Sequence, residues 1–303
     1  MTYTLENPLI TILGPTASGK TKLAVELAKQ MNGEIISADS RQVYRQMDIG
    51  TGKDLHEYEN IPYHLIDIID PQQEYNLFEF SKDFCQSYTE VTDNNKIPFL
   101  VGGTGMYLDA ILSRYKLTIA NFDQKSRQEL EKKSERELVD LLTELKPALH
   151  NSTDSKDKCR LIQAIEIARS EKATLPHIIW PDYHTIIIGI RAQREDTKSS
   201  ITKRLKSRLN EGMIDEVEQL ISQGVSSERL FYFGLEYRFI NSYLRGELNY
   251  NDMFQKLNSA IHYFAKQQEK WFRKLEAKGH KINWIDKNKD LYTNALNKIL
   301  ASL

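Results

Sequence analysis

Apolar residues in this chain fall into short uninterrupted runs, separated by stretches in which they recur every three or four positions. The runs are 9–13 (LITIL), 34–38 (EIISA), 97–101 (IPFLV) and 184–190 (HTIIIGI), the last rich in β-branched residues. After the first run TKLAVELAKQ takes over, with Leu23, Leu27 and Met31 every four residues and Ala24 and Ala28 beside them. That is the spacing of an amphipathic helix. Helical spacing also runs through 160–170, from about 196 to 223 and through 252–278, before KINWI at 281–285, which reads as an edge strand. Short apolar strands alternating with helices predict an α/β fold on an open parallel sheet flanked by helices. In such sheets ligands bind beyond the carboxyl ends of the strands, so the residues following each run matter most.

The pattern changes between 116 and 157. This segment is polar, highly charged and helical in spacing, with no strand-like run. It reads as a small helical insertion domain within a core formed by 1–115 and 158–303. No internal repeat or low-complexity segment is visible. The length of 303 residues is enough to bury a core without disulfides, and the two cysteines, Cys85 and Cys159, are too few for a disulfide framework. A reducing, cytoplasmic compartment is expected. The opening residues lack a basic stretch followed by a long apolar run, so no signal peptide is expected, and no window is apolar enough for a membrane span. With 41 Lys+Arg against 42 Asp+Glu, the chain does not coat nucleic acid by bulk charge, and any such contact must use a local basic face.

Candidate chemistry begins where the first run ends. Gly14-Pro15-Thr16-Ala17-Ser18-Gly19-Lys20-Thr21 matches the P-loop pattern G-x-x-x-x-G-K-[ST], after a strand and opening a helix, which predicts a P-loop NTPase-like sheet. The glycines let the backbone curl so that successive N–H groups point inward and cradle phosphate oxygens, and the helix N-terminus adds partial positive charge. Lys20 would reach the terminal phosphates, and the Thr21 hydroxyl would help hold Mg²⁺. The bland alternative is a Gly-rich turn of the same spelling. A P-loop ATPase usually carries a strand ending in Asp. Here IPFLV runs into Gly102-Gly103-Thr104, and the acid instead follows EIISA, as Asp39-Ser40-Arg41-Gln42. Lys20, Asp39 and Thr104 should therefore share one crevice. A carboxylate facing a phosphate-holding loop suits group transfer, taking a proton from a nucleophile while the loop stabilises the leaving charge. Asp39 could equally cap the next helix.

Four ordered segments resemble the tRNA dimethylallyltransferases (tRNA isopentenyltransferases): GPTASGKT at 14–21, ISADSRQVYRQMDIGTGK at 36–53, IPYHLIDIIDPQQEYNLFEF at 61–80 and VGGTGMYLDAIL at 101–112. RLKSRLNEGMIDEVEQLISQG at 204–224 is also similar, and the likeness covers most of the chain. It implies transfer of a five-carbon group from dimethylallyl diphosphate to the exocyclic amine of the adenosine on the 3′ side of the anticodon in tRNA. It also recasts the P-loop as the holder of the diphosphate leaving group, with no ATP consumed. On that resemblance, Asp39 would orient or deprotonate the amine, and Thr104 would bond the oxygen bridging prenyl group and diphosphate. Lys20, Thr21 and the loop N–H groups, with Mg²⁺, would stabilise the departing diphosphate. Asp39, Ser40, Arg41 and Gln42 would meet the target adenine and its neighbours once the base has left its stack.

The chain departs from the family in its RNA-facing half. Where the family usually reads Arg-x-x-Arg-Ala, this chain has Arg160, a candidate tRNA contact, but Gln163 at the second position. The run 233–238 aligns simply at Gly234 alone, and His262-Tyr263 stand where Arg-Gln is common. Basic faces nonetheless remain. Residues 191–208 hold seven cations against two carboxylates, and 266–281 hold six against two. Beside the family signatures these favour RNA contact. Aromatic residues in 231–243 could stack on flipped bases, though most read as core, and His64 reads as structural. Two other classes stay open: an RNA-binding paralogue without turnover, and a P-loop small-molecule kinase or adenylate prenyltransferase. Nothing points to an obligate oligomer, so a monomer is expected.

Overall fold

The computed structural model describes residues 6–117, 124–145, 158–172 and 177–303. Side chains at 124–125, 159–160, 163 and 171–172 lie outside the description. The chain forms two compact units, 1–114 with 180–303, and 115–179.

The larger unit is built on six strands, β1 (Pro8–Leu13), β2 (Gly33–Ala38), β3 (Tyr63–His64), β4 (Ile97–Gly102), β5 (His184–Arg191) and β6 (Ile282–Asp286). Every pairing is parallel and the order is β3-β2-β4-β1-β5-β6. Alternate residues of the central strands feed two separate cores. Ile10, Ile12, Ile35, Phe99, Ile186 and Ile188 meet α1 (Lys20–Met31) and α12 (Leu291–Leu300) on one face. Leu9, Leu13, Ile36, Leu100 and Ile187 meet α2 (Leu77–Asp93) and α3 (Gly105–Leu112) on the other, where α7 (Arg194–Asn210), α8 (Met213–Ser222), α9 (Ser227–Phe233), α10 (Leu235–Leu244) and α11 (Tyr250–Ala277) also pack. Covering both faces is what makes the strand sequences near-continuous apolar runs.

All four apolar runs are strands, and KINWI is the edge strand β6. The opposite edge, β3, is two residues long and carries no period to read. The stretch expected as one helix from about 196 to 223 is two, because Gly212 takes the left-handed conformation (φ 99°) between α7 and α8. His64 lies on the edge strand opposite Ile36 of β2 and is bonded to Glu34 at 2.8 Å.

The smaller unit contains α4 (Gln124–Glu131), α5 (Glu135–Leu145) and α6 (Lys158–Lys172). The sequence pattern ends the insertion at 157 and assigns 158–172 to the core, whereas the compact unit runs to 179. The cause is the apolar stripe of α6: Leu161, Ile162, Ile165 and Ala168 form one core with Leu130, Leu138 and Leu142 of α4 and α5. Parts of the expected insertion, 118–123 and 146–157, lie outside the described residues. Among the described residues, no helix is long and apolar enough to cross a membrane.

Candidate active site

β4 lies between β1 and β2, so the segments that leave these three strands emerge side by side. The P-loop leaves β1, with Ala17 (φ 61°) and Gly19 (φ 88°) in the left-handed region that turns loop N–H groups inward. Gly19 opens α1 with no side-chain cap, and the first turn carries no acid, so its N–H groups and positive dipole end serve the loop. The Lys20 ammonium lies back across the loop and donates to the Pro15 carbonyl at 2.9 Å. Desolvation, then the charge of Arg204, lower its pKa to about 8, and Asp39 opposes them.

The neighbouring segments are tied together. The Ser40 N–H donates to Thr104 Oγ1 at 3.1 Å, and the Thr104 N–H donates to the Ala38 carbonyl at 3.3 Å. Asp39 accepts from the Arg41 N–H at 2.9 Å, a turn in the loop after β2 rather than the helix cap considered from sequence. Gln42 turns inward, its amide accepting from Ser37 Oγ at 2.9 Å and donating to the Gly52 carbonyl at 3.0 Å. Arg41 reaches outward instead, its guanidinium 4.7 Å from the Tyr232 ring centre.

Residues distant in sequence hold the P-loop. Gln268 of α11, 6% exposed, accepts from the Thr16 N–H at 2.8 Å and donates to the Gly103 carbonyl at 2.9 Å, joining the β1 and β4 loops. Arg204 of α7 donates to Thr16 Oγ1, and Lys287 donates to the Ala17 carbonyl at 2.9 Å. Desolvation, with Arg208 second, lowers the Arg204 pKa to about 10, so it remains cationic at neutral pH. Glu236 shares this environment, and burial raises its carboxyl pKa against the pull of Arg208 and Arg204.

The expected basic face over 191–208 is thus divided. Ile201, Leu205 and Arg208 fall on the buried side of α7, and Arg208 pairs with Asp54 at 3.2 Å. Arg204 faces the P-loop, while Arg191 stacks on Trp284 at 4.6 Å. Of the aromatic residues in 231–243, Phe233 and Tyr237 are core, but Phe231 and Tyr232 are exposed. The Arg160 and Gln163 side chains lie outside the described residues.

The loop between Asp39 and Lys53 has its own clamp. Glu216 of α8 accepts from the N–H groups of Asp48 (2.7 Å), Ile49 (2.6 Å) and Gly50 (3.0 Å), and from the Tyr237 hydroxyl at 2.7 Å. Lys53, 1% exposed, donates to the Tyr44 carbonyl at 2.8 Å, to Asp48 at 2.6 Å and to Asp67.

The family profile described as "IPP transferase" matches residues 42–275, and one described as "Isopentenyl transferase" matches residues 8–60. The chain belongs to the isopentenyl transferase family. It is 53% identical to a protein named tRNA dimethylallyltransferase 1 from Geotalea uraniireducens, over 93% of each chain. It is 50% identical to tRNA dimethylallyltransferase 2 from Phocaeicola vulgatus, over 92% of each. The crystal structure of a tRNA isopentenylpyrophosphate transferase from Bacillus halodurans superposes with a TM-score of 0.71 at 32% identity, covering 98% of this chain and 95% of the other. A eukaryotic dimethylallyltransferase described as acting on tRNA shares the fold, with a TM-score of 0.79 at 23% identity, covering 98% of this chain and 78% of its own.

Proposed function

We infer that this chain transfers the dimethylallyl group of dimethylallyl diphosphate to the exocyclic amine of the adenosine 3′-adjacent to the anticodon in tRNA. The observation that carries the reading is the convergence of three strand ends: the P-loop after β1, Asp39–Gln42 after β2 and Thr104 after β4, joined by the Ser40–Thr104 bond beside Lys20. Relatives are named tRNA dimethylallyltransferases; the paralogue reading rests on the departures at Gln163 and 233–238, against which stand the intact 14–21, 39–42 and 102–104, and the kinase reading has no observation of its own.

In the reaction the amine nitrogen forms a bond to the allylic carbon, the carbon–oxygen bond to the diphosphate breaks, and the amine loses a proton. Asp39 orients the amine and takes that proton, and its loop neighbours Ser40 and Arg41 receive the adenine. Thr104 Oγ1, already fixed as acceptor of the Ser40 N–H, has its own proton to donate to the bridging oxygen. Lys20 and the N–H groups of residues 14–21 receive the diphosphate charge. An adenine amine is a poor nucleophile, so most of the acceleration rests on that leaving-group stabilisation, and one such donor is worth about 10²–10³ in rate.

Mg²⁺ suits the donor set. Among the described residues no group of three or more His, Cys, Asp or Glu could hold a metal. An ion that keeps its waters and binds chiefly through substrate phosphates needs little more than the Thr21 hydroxyl. When bound it would add positive charge against the leaving diphosphate. Every residue used lies on one chain, so a monomer suffices.

The test is incubation with Mg²⁺, dimethylallyl diphosphate and unmodified tRNA, followed by nuclease digestion and mass spectrometry. A prenylated adenosine beside the anticodon is expected, and its absence across a range of tRNAs would overturn the reading. Asp39→Asn should abolish transfer while leaving pyrophosphate binding intact; an active Asn variant would remove Asp39 as the base.

A further inference from the structure

Three successive residues of the P-loop are each held by a different cation. Lys20 donates to the Pro15 carbonyl, Arg204 to Thr16 Oγ1 and Lys287 to the Ala17 carbonyl. Lys20 belongs to the loop motif and Arg204 to α7, but Lys287 follows β6, the edge strand beyond β5. Its backbone is pinned there. The Lys287 N–H donates to the Arg191 carbonyl at 2.8 Å, carrying the β5–β6 ladder one residue past the end of the strand. Asp286 accepts from the Asn288 N–H at 3.0 Å, and the Asn288 amide donates to Asp196 of α7 at 2.8 Å. From this fixed point the half-buried Lys287 side chain places its ammonium between the Ala17 carbonyl (2.9 Å) and Ser200 Oγ (3.3 Å). Ser200 lies four residues before Arg204 on one face of α7, so Lys287 and Arg204 approach the loop side by side. Among the described residues, Lys287 has no carboxylate at ion-pair distance.

The carbonyl that Lys287 grips decides where a phosphate-binding N–H points. Ala17 lies in the left-handed region at φ 61°, which an alanine keeps only where its surroundings hold it. The Ala17 C=O and the Ser18 N–H belong to one trans peptide and point in opposite directions across its plane. Drawing the carbonyl toward Lys287 therefore aims the Ser18 N–H the other way, into the concavity of the loop. A charged donor on the carbonyl also polarises the peptide and strengthens its N–H as a donor. The ammonium so acts on a bound anion twice, through that N–H and by its own charge across one peptide unit. A neutral donor in its place would perform only the first task, and less well.

We propose that Lys287 is a positioning residue of the diphosphate site, aiming the Ser18 N–H at the leaving group through the Ala17 carbonyl and adding its charge behind the loop. The proposal rests on the reading of the P-loop as diphosphate holder and extends it to a residue outside the motif. It is tested on the full chain with inorganic pyrophosphate and, as a separate probe, a synthetic anticodon stem-loop RNA carrying an unmodified adenosine. Lys287→Met, which removes donor and charge, should weaken pyrophosphate binding about tenfold or more. Lys287→Gln, which keeps a neutral N–H donor, should fall between Met and wild type and depend less steeply on salt. Lys287→Arg, which keeps donor and charge, should recover most of the loss. RNA affinity should be the same in all three, and kcat for transfer should fall with pyrophosphate affinity. Unchanged pyrophosphate affinity in Lys287→Met would overturn the proposal, even if its unfolding midpoint dropped, because the contact would then be structural only. It would also be overturned by an Arg variant as weak as Met, or by RNA affinity falling in step with pyrophosphate affinity. Wild-type transfer on the same preparation separates the two claims. Transfer by wild type with no effect of the variants on pyrophosphate overturns this proposal alone, and variant effects on pyrophosphate without wild-type transfer overturn the reaction.

Discussion

Lys20 is held where its charge is hardest to keep. Burial and Arg204 lower its pKa to about 8, so the ammonium is present below that pH and lost from the free loop above it. In the proposed reaction, diphosphate binding needs the charged form. Affinity contributed by Lys20 should therefore be full at neutral pH and fall as pH rises past about 8, by at most tenfold per unit, until the higher pKa of the bound state is reached. Pyrophosphate titrations of wild type and Lys20→Arg check this, since their ratio cancels the ligand's own ionisation. The ratio should stay constant below pH 8 and move against wild type above it; a ratio independent of pH would show that Lys20 does not titrate there. Gln268 acts through others, as a positioning residue. Gln268→Ala releases the Thr16 N–H and the Gly103 carbonyl together, at a cost of about 1–3 kcal/mol for buried polar groups left unpaired. We expect lower thermal stability and weaker pyrophosphate binding with Lys20 unchanged. Undiminished binding would mean the loop holds its shape without the bridge.

At the scale of elements, the segment from Asp39 to Lys53 is a long irregular connection held by side chains from α7, α8 and α10. Glu216 alone satisfies three of its backbone N–H groups and the Tyr237 hydroxyl. Hydrogen bonds to a charged group contribute about 1.5–3 kcal/mol each where they are buried, and several of these are only partly so. Glu216→Ala is therefore predicted to destabilise the chain by about 3 kcal/mol. It should also reduce transfer more than pyrophosphate affinity, because the loosened segment carries Asp39 and not the P-loop. Denaturant unfolding and steady-state kinetics measure the two effects, and equal losses of transfer and pyrophosphate binding would contradict the second. Gly52 marks the tightest point of the clamp. It sits at φ 64°, and an added Cβ would overlap the Arg208 guanidinium, so Gly52→Ala should displace Arg208 from Asp54 and lower stability. These contacts show what was legible in the sequence. Strand ends are local, so the P-loop, Asp39 and Thr104 could be placed in one crevice from the runs that precede them. The partners of Thr16 and Ala17 come from 188, 252 and 270 residues away. Arg204 belongs to a basic segment whose pattern favours RNA contact, Lys287 carries no local signal, and only the packing of α7 and α11 turns Arg204 and Gln268 toward the loop.

On the scale of the whole molecule, the insertion is a detour from a sheet that is complete without it. Both faces of the sheet are covered by helices of the larger unit, and 115–179 has a separate core of its own. The chain leaves and returns at nearly one point. The Ile178 N–H donates to the Leu117 carbonyl at 3.0 Å, and within the larger unit Arg114 donates to the Tyr183 carbonyl at 2.7 Å. A short flexible linker can span that gap, and closing a shorter loop costs less entropy than closing the native one. We predict that replacing residues 118–177 with a few Gly and Ser residues leaves a folded core that unfolds cooperatively and binds pyrophosphate as the full chain does. This follows because, among the described residues, none of the P-loop's partners lies in the removed segment. Circular dichroism, denaturant unfolding and pyrophosphate titration of the shortened chain would decide it. Loss of pyrophosphate affinity in a folded core would show that the helical unit helps to hold the diphosphate site, and an unfolded product would show that the sheet depends on it.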